Sequence, residues 1–222
     1  MINSTSQQEC FGMNIINDEK YESLWQQTRD FINEHCIIRT KPGTSLPGKI
    51  EGTRYTCVFY LRNGLFRTDF LSAVTQMWAK KVAEEVGHFD FQLSGLETAS
   101  TPMITAFPIY MQAFGIHLNG YSIRKEQKKY ALRNWIEGCP DYTPTMLLDD
   151  ICNSGDSMRT AYDILQMYDL PVLPFAFSLV NKVNKGLHDD NFDKDFLMPP
   201  EVKLLHLYSL DDFNLTGNVK LH

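Results

Sequence analysis

The stretch Thr145-Met-Leu-Leu-Asp-Asp-Ile-Cys-Asn-Ser-Gly-Asp-Ser157 constrains the fold more than any other part of the chain. An apolar, β-capable run ends in two adjacent carboxylates, Asp149 and Asp150. A short Ser/Gly loop follows, and Met158 to Leu165 then repeats apolar residues at helical spacing. This order predicts a strand, a loop and a helix N-terminus in immediate succession. Two acids at a strand end can accept hydrogen bonds from neighbouring hydroxyls, as on a ribose. Asn153 to Ser157 can turn backbone N–H groups inward, and the helix start adds a positive partial charge that suits a phosphate. One site therefore suits a sugar diol on one side and a phosphate on the other. The alternative is a βα turn with an acidic N-cap and no ligand. The apolar strand before the acids and the Ser-Gly-x-Ser loop after them weigh against that alternative.

With 222 residues, 43% of them hydrophobic, the chain can bury one sizeable core. No apolar run is long enough to span a membrane. The start, Met1 to Cys10, is polar and lacks a basic n-region, so it does not read as a secretory signal. Five scattered cysteines (10, 36, 57, 139, 152) form no CxxC pair, which suggests neither a disulfide framework nor a zinc site. A reducing, cytoplasmic setting is the expectation. The net charge of −6 argues against a general nucleic-acid binder.

Along the chain, residues 1–18 read as a polar tail. Tyr21, Leu24, Trp25, Thr28, Phe31 and Ile32 give residues 19–35 a helical spacing. Prolines and glycines mark residues 40–54 as loop or irregular strand. Thr56 to Leu61 reads as a strand. Asp69 to Val86 reads as an amphipathic helix with Leu71, Val74, Trp78, Val82 and Val86 inward. Strands and helices then alternate. Phe89 to Ser94 is a strand, and Thr101-Pro102 caps and opens a helix that Pro108 kinks. Tyr121 to Arg124 is a strand. After the motif strand, Met158, Ala161, Leu165 and Tyr168 form an inner helical face. Val172 to Val180 is a strand interrupted early by Pro174. Residues 186–201 are loop, Val202 to Tyr208 is a last strand, and Leu210 to Phe213 begins a short closing helix. Such alternation predicts an α/β fold with a doubly wound, mostly parallel sheet and ligands at the carboxyl ends of its strands.

A second constellation is Arg124-Lys-Glu-Gln-Lys-Lys-Tyr-Ala-Leu-Arg133, with five cations and one acid. In an acidic chain, this segment can close over a polyanion and neutralise charge on a leaving group; the plain alternative is a solvated basic face. Together, the two constellations resemble type I phosphoribosyltransferases. Leu148-Asp-Asp with Ser154-Gly-Asp-Ser157 resembles their motif for phosphoribosyl pyrophosphate (PRPP). Arg124-Lys-Glu-x-Lys128, leading to Ile136-Glu-Gly138, resembles the Arg-Lys-Glu-Ala-Lys-Asp-His-Gly loop of orotate phosphoribosyltransferases. Asn63-Gly-Leu-Phe66 and Val202 to Phe213 resemble further segments of that family, so the likeness covers roughly residues 20–215.

The resemblance implies a single domain over residues 19–222, with a small N-terminal hood from about 19–60 and a core from about 61–215. It implies transfer of the 5-phosphoribosyl group of PRPP to a nitrogenous base, most simply an orotate-like pyrimidine, with release of pyrophosphate. Asp149 and Asp150 would orient the ribose. Asn153, Ser154, Gly155, Asp156 and Ser157 would cradle the 5-phosphate. Arg124 and Lys125 would neutralise pyrophosphate, and Lys128 would be the mobile catalytic lysine, shared with the neighbouring subunit of a homodimer. Lys182 and Lys185 would face the base. Mg²⁺ would arrive with PRPP rather than in a dedicated protein cage, with Asp149 as a possible contact.

Several positions depart from the family pattern. Gly95-Leu-Glu-Thr-Ala-Ser-Thr-Pro102 aligns with its pyrophosphate loop, approximately Gly-Pro-Ala-Tyr-Lys-Gly-Ile-Pro, so Ala99 replaces a PRPP-binding lysine and Glu97 adds a negative charge. Tyr130 replaces the loop histidine. Asp156 places an acid beside the phosphate position, and Asn181 to Gly186 matches the orotate-contacting Asp-Arg-x-x-Arg-Gly only loosely. These departures leave a second reading open, a protein that binds PRPP or a nucleotide as a regulator, sensor or effector subunit. A third keeps catalysis with a different acceptor. No histidine has a motif partner, and Cys152 reads as a small apolar residue beneath the loop.

Overall fold

The computed structural model describes residues 15–41, 43–47, 54–127, 134–182, 198–213 and 215. Ile15 and Ile16, which the sequence reading placed in the tail, are buried. Asn17 follows in extended conformation and its side chain accepts from the Lys20 amide, opening helix α1 (Asp18–Phe31). A π-turn over Ile32–Cys36 ends the helical run and passes directly into strand β1 (Ile37–Arg39). Strands β2 (Leu46–Pro47) and β3 (Arg54–Tyr55) form a short antiparallel pair. Strand β4 (Cys57–Phe59) returns to pair antiparallel with β1. A turn of helix, α2 (Arg62–Leu65), then leads to the long α3 (Thr68–Glu85).

From this point the elements are β5 (Gln92–Leu96), α4 (Thr101–Gln112), β6 (Gly120–Ile123), β7 (Ile136–Glu137), β8 (Thr145–Cys152), α5 (Asp156–Met167), β9 (Val172–Asn181) and β10 (Lys203–Ser209). They follow the predicted order, with an additional two-residue strand, β7, between β6 and β8. A 3₁₀ turn over Leu210–Asp212 closes the described chain, capped by Ser209 and Asp212. The main sheet has the order β10-β9-β8-β5-β6-β7, parallel throughout except for β7. The helix Thr101 was predicted to cap starts at Thr101 itself. Ser100 precedes it, and the Ser100 hydroxyl donates to the Leu96 carbonyl.

Side chains on neighbouring strand positions leave the sheet on opposite faces. Met146 and Leu148 of β8 join a core with Trp78 of α3 and Phe107 of α4, whose rings stack at 4.2 Å. Leu147 and Cys152 join a second core with Met158, Ala161, Ile164 and Leu165 of α5. Helices therefore cover both faces of the sheet, as a parallel sheet requires. Tyr168, predicted on the inner face of α5, lies beyond the last helical residue and is exposed, and Ile164 takes the inward position.

Pro174 does not end β9. Between the pairs Thr145↔Val172 and Leu147↔Ala176 the register slips, and the proline sits within that irregularity. Lacking an amide hydrogen, proline is accommodated where the ladder is already interrupted.

Candidate functional site

Strand β8 runs further than its apolar residues indicated, so Asp149 and Asp150 lie within its carboxyl half. The ladder to β9 continues past them, with Asp149 opposite Ser178 and Cys152 opposite Asn181. Both aspartates are half-buried. Burial, followed by the repulsion of Asp150, raises the Asp149 carboxyl well above the usual carboxylate range, and the Lys125 charge acts against that rise. Burial raises Asp150 as well, while Asp149 and the Arg62 guanidinium favour its charged form. The Asp150 amide donates to the Asp149 carboxylate at 2.9 Å.

The chain leaves β8 through Asn153 and Ser154 and reaches Gly155, which caps α5 with φ 80° and ψ 0°. This left-handed conformation suits glycine, since a Cβ there is sterically disfavoured. Gly155 is buried, Asn153, Ser154 and Ser157 are half-buried, and Asp156 is exposed in the first turn of α5. The Asp156 amide lies 3.4 Å from the Ser154 hydroxyl. The loop thus brings a helix N-terminus to within a few residues of the two aspartates, and its polar lining favours an anion.

The loop after β5 lies beside this end of β8. A Cβ at Gly95 would overlap the Leu148 carbonyl oxygen and lie 2.7 Å from Ser100 Cβ, so the glycine permits the close approach of the two segments. Glu97 follows, its amide donating to the Ile123 carbonyl at the end of β6. Its carboxylate accepts from the Lys125 amide at 3.3 Å and lies 4.0 Å from the Arg124 guanidinium. Arg124 also donates to the Glu137 carboxylate of β7 at 3.2 Å and to the Glu126 carbonyl at 3.3 Å. Arg124 and Lys125 are therefore brought to the site, with Arg124 already facing two carboxylates.

On the other side, the Lys182 amide donates to the Cys152 carbonyl at 2.7 Å, directly after β9. Its ammonium lies 5.5 Å from the centre of the Phe59 ring in β4, and burial lowers its pKa. Lys182 thus stands where the N-terminal β1–β4 pair meets the sheet's carboxyl edge. Burial pushes the Cys152 thiol up to about 12, in keeping with a structural cysteine beneath the loop. Lys128, Tyr130 and Lys185 lie outside the described residues. Arg62 escaped the sequence reading. It packs its guanidinium 4.8 Å from the centre of the Tyr60 ring, and its charge reaches Asp150. The only sequence cue was its place just before Asn63-Gly-Leu-Phe66. Among the described residues, no group of three or more His, Cys, Asp or Glu side chains converges to hold a metal ion. Among the same residues, no helix is long and apolar enough to cross a membrane.

No family model matches the chain. In sequence it is similar to the orotate phosphoribosyltransferase of Corynebacterium glutamicum (strain R), 27% identical over 113 residues, half of this chain and 59% of that protein. In structure it resembles a phosphoribosyltransferase from Corynebacterium diphtheriae, with TM-score 0.64 and 18% identity over 86% of this chain and 98% of that one. It also resembles the Mycobacterium tuberculosis H37Rv orotate phosphoribosyltransferase solved with PRPP, with TM-score 0.57 and 15% identity over 89% and 93% of the two chains. The chain has the type I phosphoribosyltransferase fold.

Proposed function

We propose that the protein transfers the 5-phosphoribosyl group of PRPP to a nitrogenous base and releases pyrophosphate, acting as a single domain over residues 19–222. The carrying observation is the adjacency of Asp149 and Asp150 to the Gly155-capped start of α5, which offers a diol-binding pair beside an anion-binding turn. The structural likeness to a phosphoribosyltransferase solved with PRPP supports the same assignment.

In this reading the 5-phosphate is cradled by Asn153, Ser154, Gly155, Asp156 and Ser157, chiefly through backbone N–H groups. Asp149 and Asp150 accept from the ribose hydroxyls and fix the ring, and their charge stabilises the cationic character that the sugar gains as the bond to pyrophosphate lengthens. The half-buried carboxylates are hard oxygen donors that fit Mg²⁺, which when bound with PRPP supplies charge neutralisation at the leaving pyrophosphate. Lys128, Arg124 and Lys125 neutralise the same group from the β6 side. Lys182 faces the base together with Lys185. The base is an orotate-like pyrimidine by resemblance, and Ala99 and the loose match at Asn181 to Gly186 lead us to expect weak or absent turnover of orotate.

The test is an assay of pyrophosphate release from PRPP and Mg²⁺ with a panel of bases, paired with calorimetry of PRPP and ribose 5-phosphate. Turnover with at least one base is expected, and loss of ribose 5-phosphate binding is expected in Asp149→Asn with Asp150→Asn. Equal affinity in the parent and the double variant would overturn the site assignment. A second reading, binding of PRPP or a nucleotide without turnover as a regulator, sensor or effector subunit, is favoured by Ala99 and by the contact of Glu97 with the Arg124 guanidinium and the Lys125 backbone amide. It would show as ligand binding with no pyrophosphate release from any base.

A further inference from the structure

We propose that Glu97 is a built-in counter-anion on the side of the ribose site opposite the phosphate loop, so that the site prefers phosphoribosyl ligands whose C1 substituent is an uncharged planar group over those carrying a diphosphate there. The inference rests on the ribose-phosphate reading of Asp149 to Ser157.

The sheet order places β5 and then β6 on one side of β8. A ribose held by Asp149 and Asp150, with its phosphate at the start of α5, presents its C1 substituent away from that phosphate. The ends of β5 and β6 are available on that side. They carry the Glu97 carboxylate, which meets the Arg124 guanidinium and the Lys125 backbone amide. Gly95, two residues before Glu97, lies so close to the Leu148 carbonyl, one residue before Asp149, that a Cβ there would overlap it, which ties this cluster to the ribose pair. Two of the groups that would meet an incoming diphosphate, the Arg124 guanidinium and the Lys125 amide, face the Glu97 carboxylate at 4.0 and 3.3 Å. Glu137 holds the same guanidinium from β7 at 3.2 Å.

Arg124 and Glu97 are only 28% and 35% exposed, so water screens this cluster incompletely and the carboxylate repels a second anion placed against it. No lysine stands at position 99 to compensate. A diphosphate entering here must displace or approach Glu97, whereas a neutral ring at C1 meets no such opposition. The local charge balance therefore selects a nucleoside 5′-monophosphate over PRPP.

The experiment is isothermal calorimetry of ribose 5-phosphate, uridine 5′-monophosphate and PRPP with Mg²⁺, on the parent protein, Glu97→Gln and Glu97→Ala. The parent is expected to bind uridine 5′-monophosphate more tightly than PRPP. Removal of the charge should tighten PRPP binding by about tenfold or more, the scale of one freed charge-assisted contact. Ribose 5-phosphate affinity should stay within about twofold, a change of a few tenths of a kcal/mol; it also reports that each variant folds. The alanine variant provides the measurement if glutamine disturbs the loop. Unchanged PRPP affinity in a variant that still binds ribose 5-phosphate would overturn the inference and leave the ribose-phosphate site standing. Failure of the parent to bind ribose 5-phosphate would overturn both.

Discussion

At the scale of single residues, the Asp149 carboxyl exposes a conflict between stability and binding. Burial raises its pKa, so the native state keeps a proton that the unfolded chain releases near its ordinary value of about 3.9. Stability must then fall as pH rises from there through the raised native value. Asp149→Asn is expected to raise thermal stability at pH 8 by about 1–3 kcal/mol, the scale of an incompletely compensated buried group. The gain should vanish below about pH 4, which melting curves across pH will check. The same variant should lose ribose binding. Ala99→Lys should restore a missing cation and tighten PRPP binding by about tenfold or more, as read by calorimetry. The acid pair was legible in the sequence because it ends an apolar run. The pairing of Glu97 with Arg124 was not, since it depends on β5 and β6 becoming neighbours across 27 residues of chain. Arg62 was hidden for the same reason, as its relation to Asp150 spans the join between the N-terminal strands and the sheet.

At the scale of elements, the turn between β8 and α5 sets the site. Gly155→Val should cost about 1–2 kcal/mol through the left-handed backbone it would have to adopt. It should also weaken binding of inorganic phosphate, and chemical denaturation with phosphate titration measures the two effects separately. The long α3 and the motif strand were readable because each shows a sustained apolar pattern. The pairing of β1 with β4 was not readable on the β1 side, where three residues follow a π-turn without a break. Proline at position 174 was legible as an early interruption of its strand, and β9 absorbs it as a register slip and continues to Asn181. Residues 128–133 of the basic segment, Lys128 among them, lie outside the described residues.

At the scale of the whole molecule, the proposed sharing of Lys128 between subunits requires a homodimer. Sedimentation of the unliganded protein at micromolar concentration is expected to show one, and a strictly monomeric species would remove that role for the lysine. The architecture also ties the first helix to the last strand. The Trp25 indole N–H donates to the Leu207 carbonyl, and the Tyr208 hydroxyl donates to the Trp25 carbonyl, both at 3.0 Å. The free edge of β10 is thereby partly covered, which guards it against pairing with another chain. The partners are 182 and 183 residues apart. During synthesis at roughly 5–20 residues per second, α1 must therefore wait on the order of 10–40 s for the strand that receives it. A nascent chain halted before Lys203 should leave Trp25 open to protease, and release of the full chain should close it.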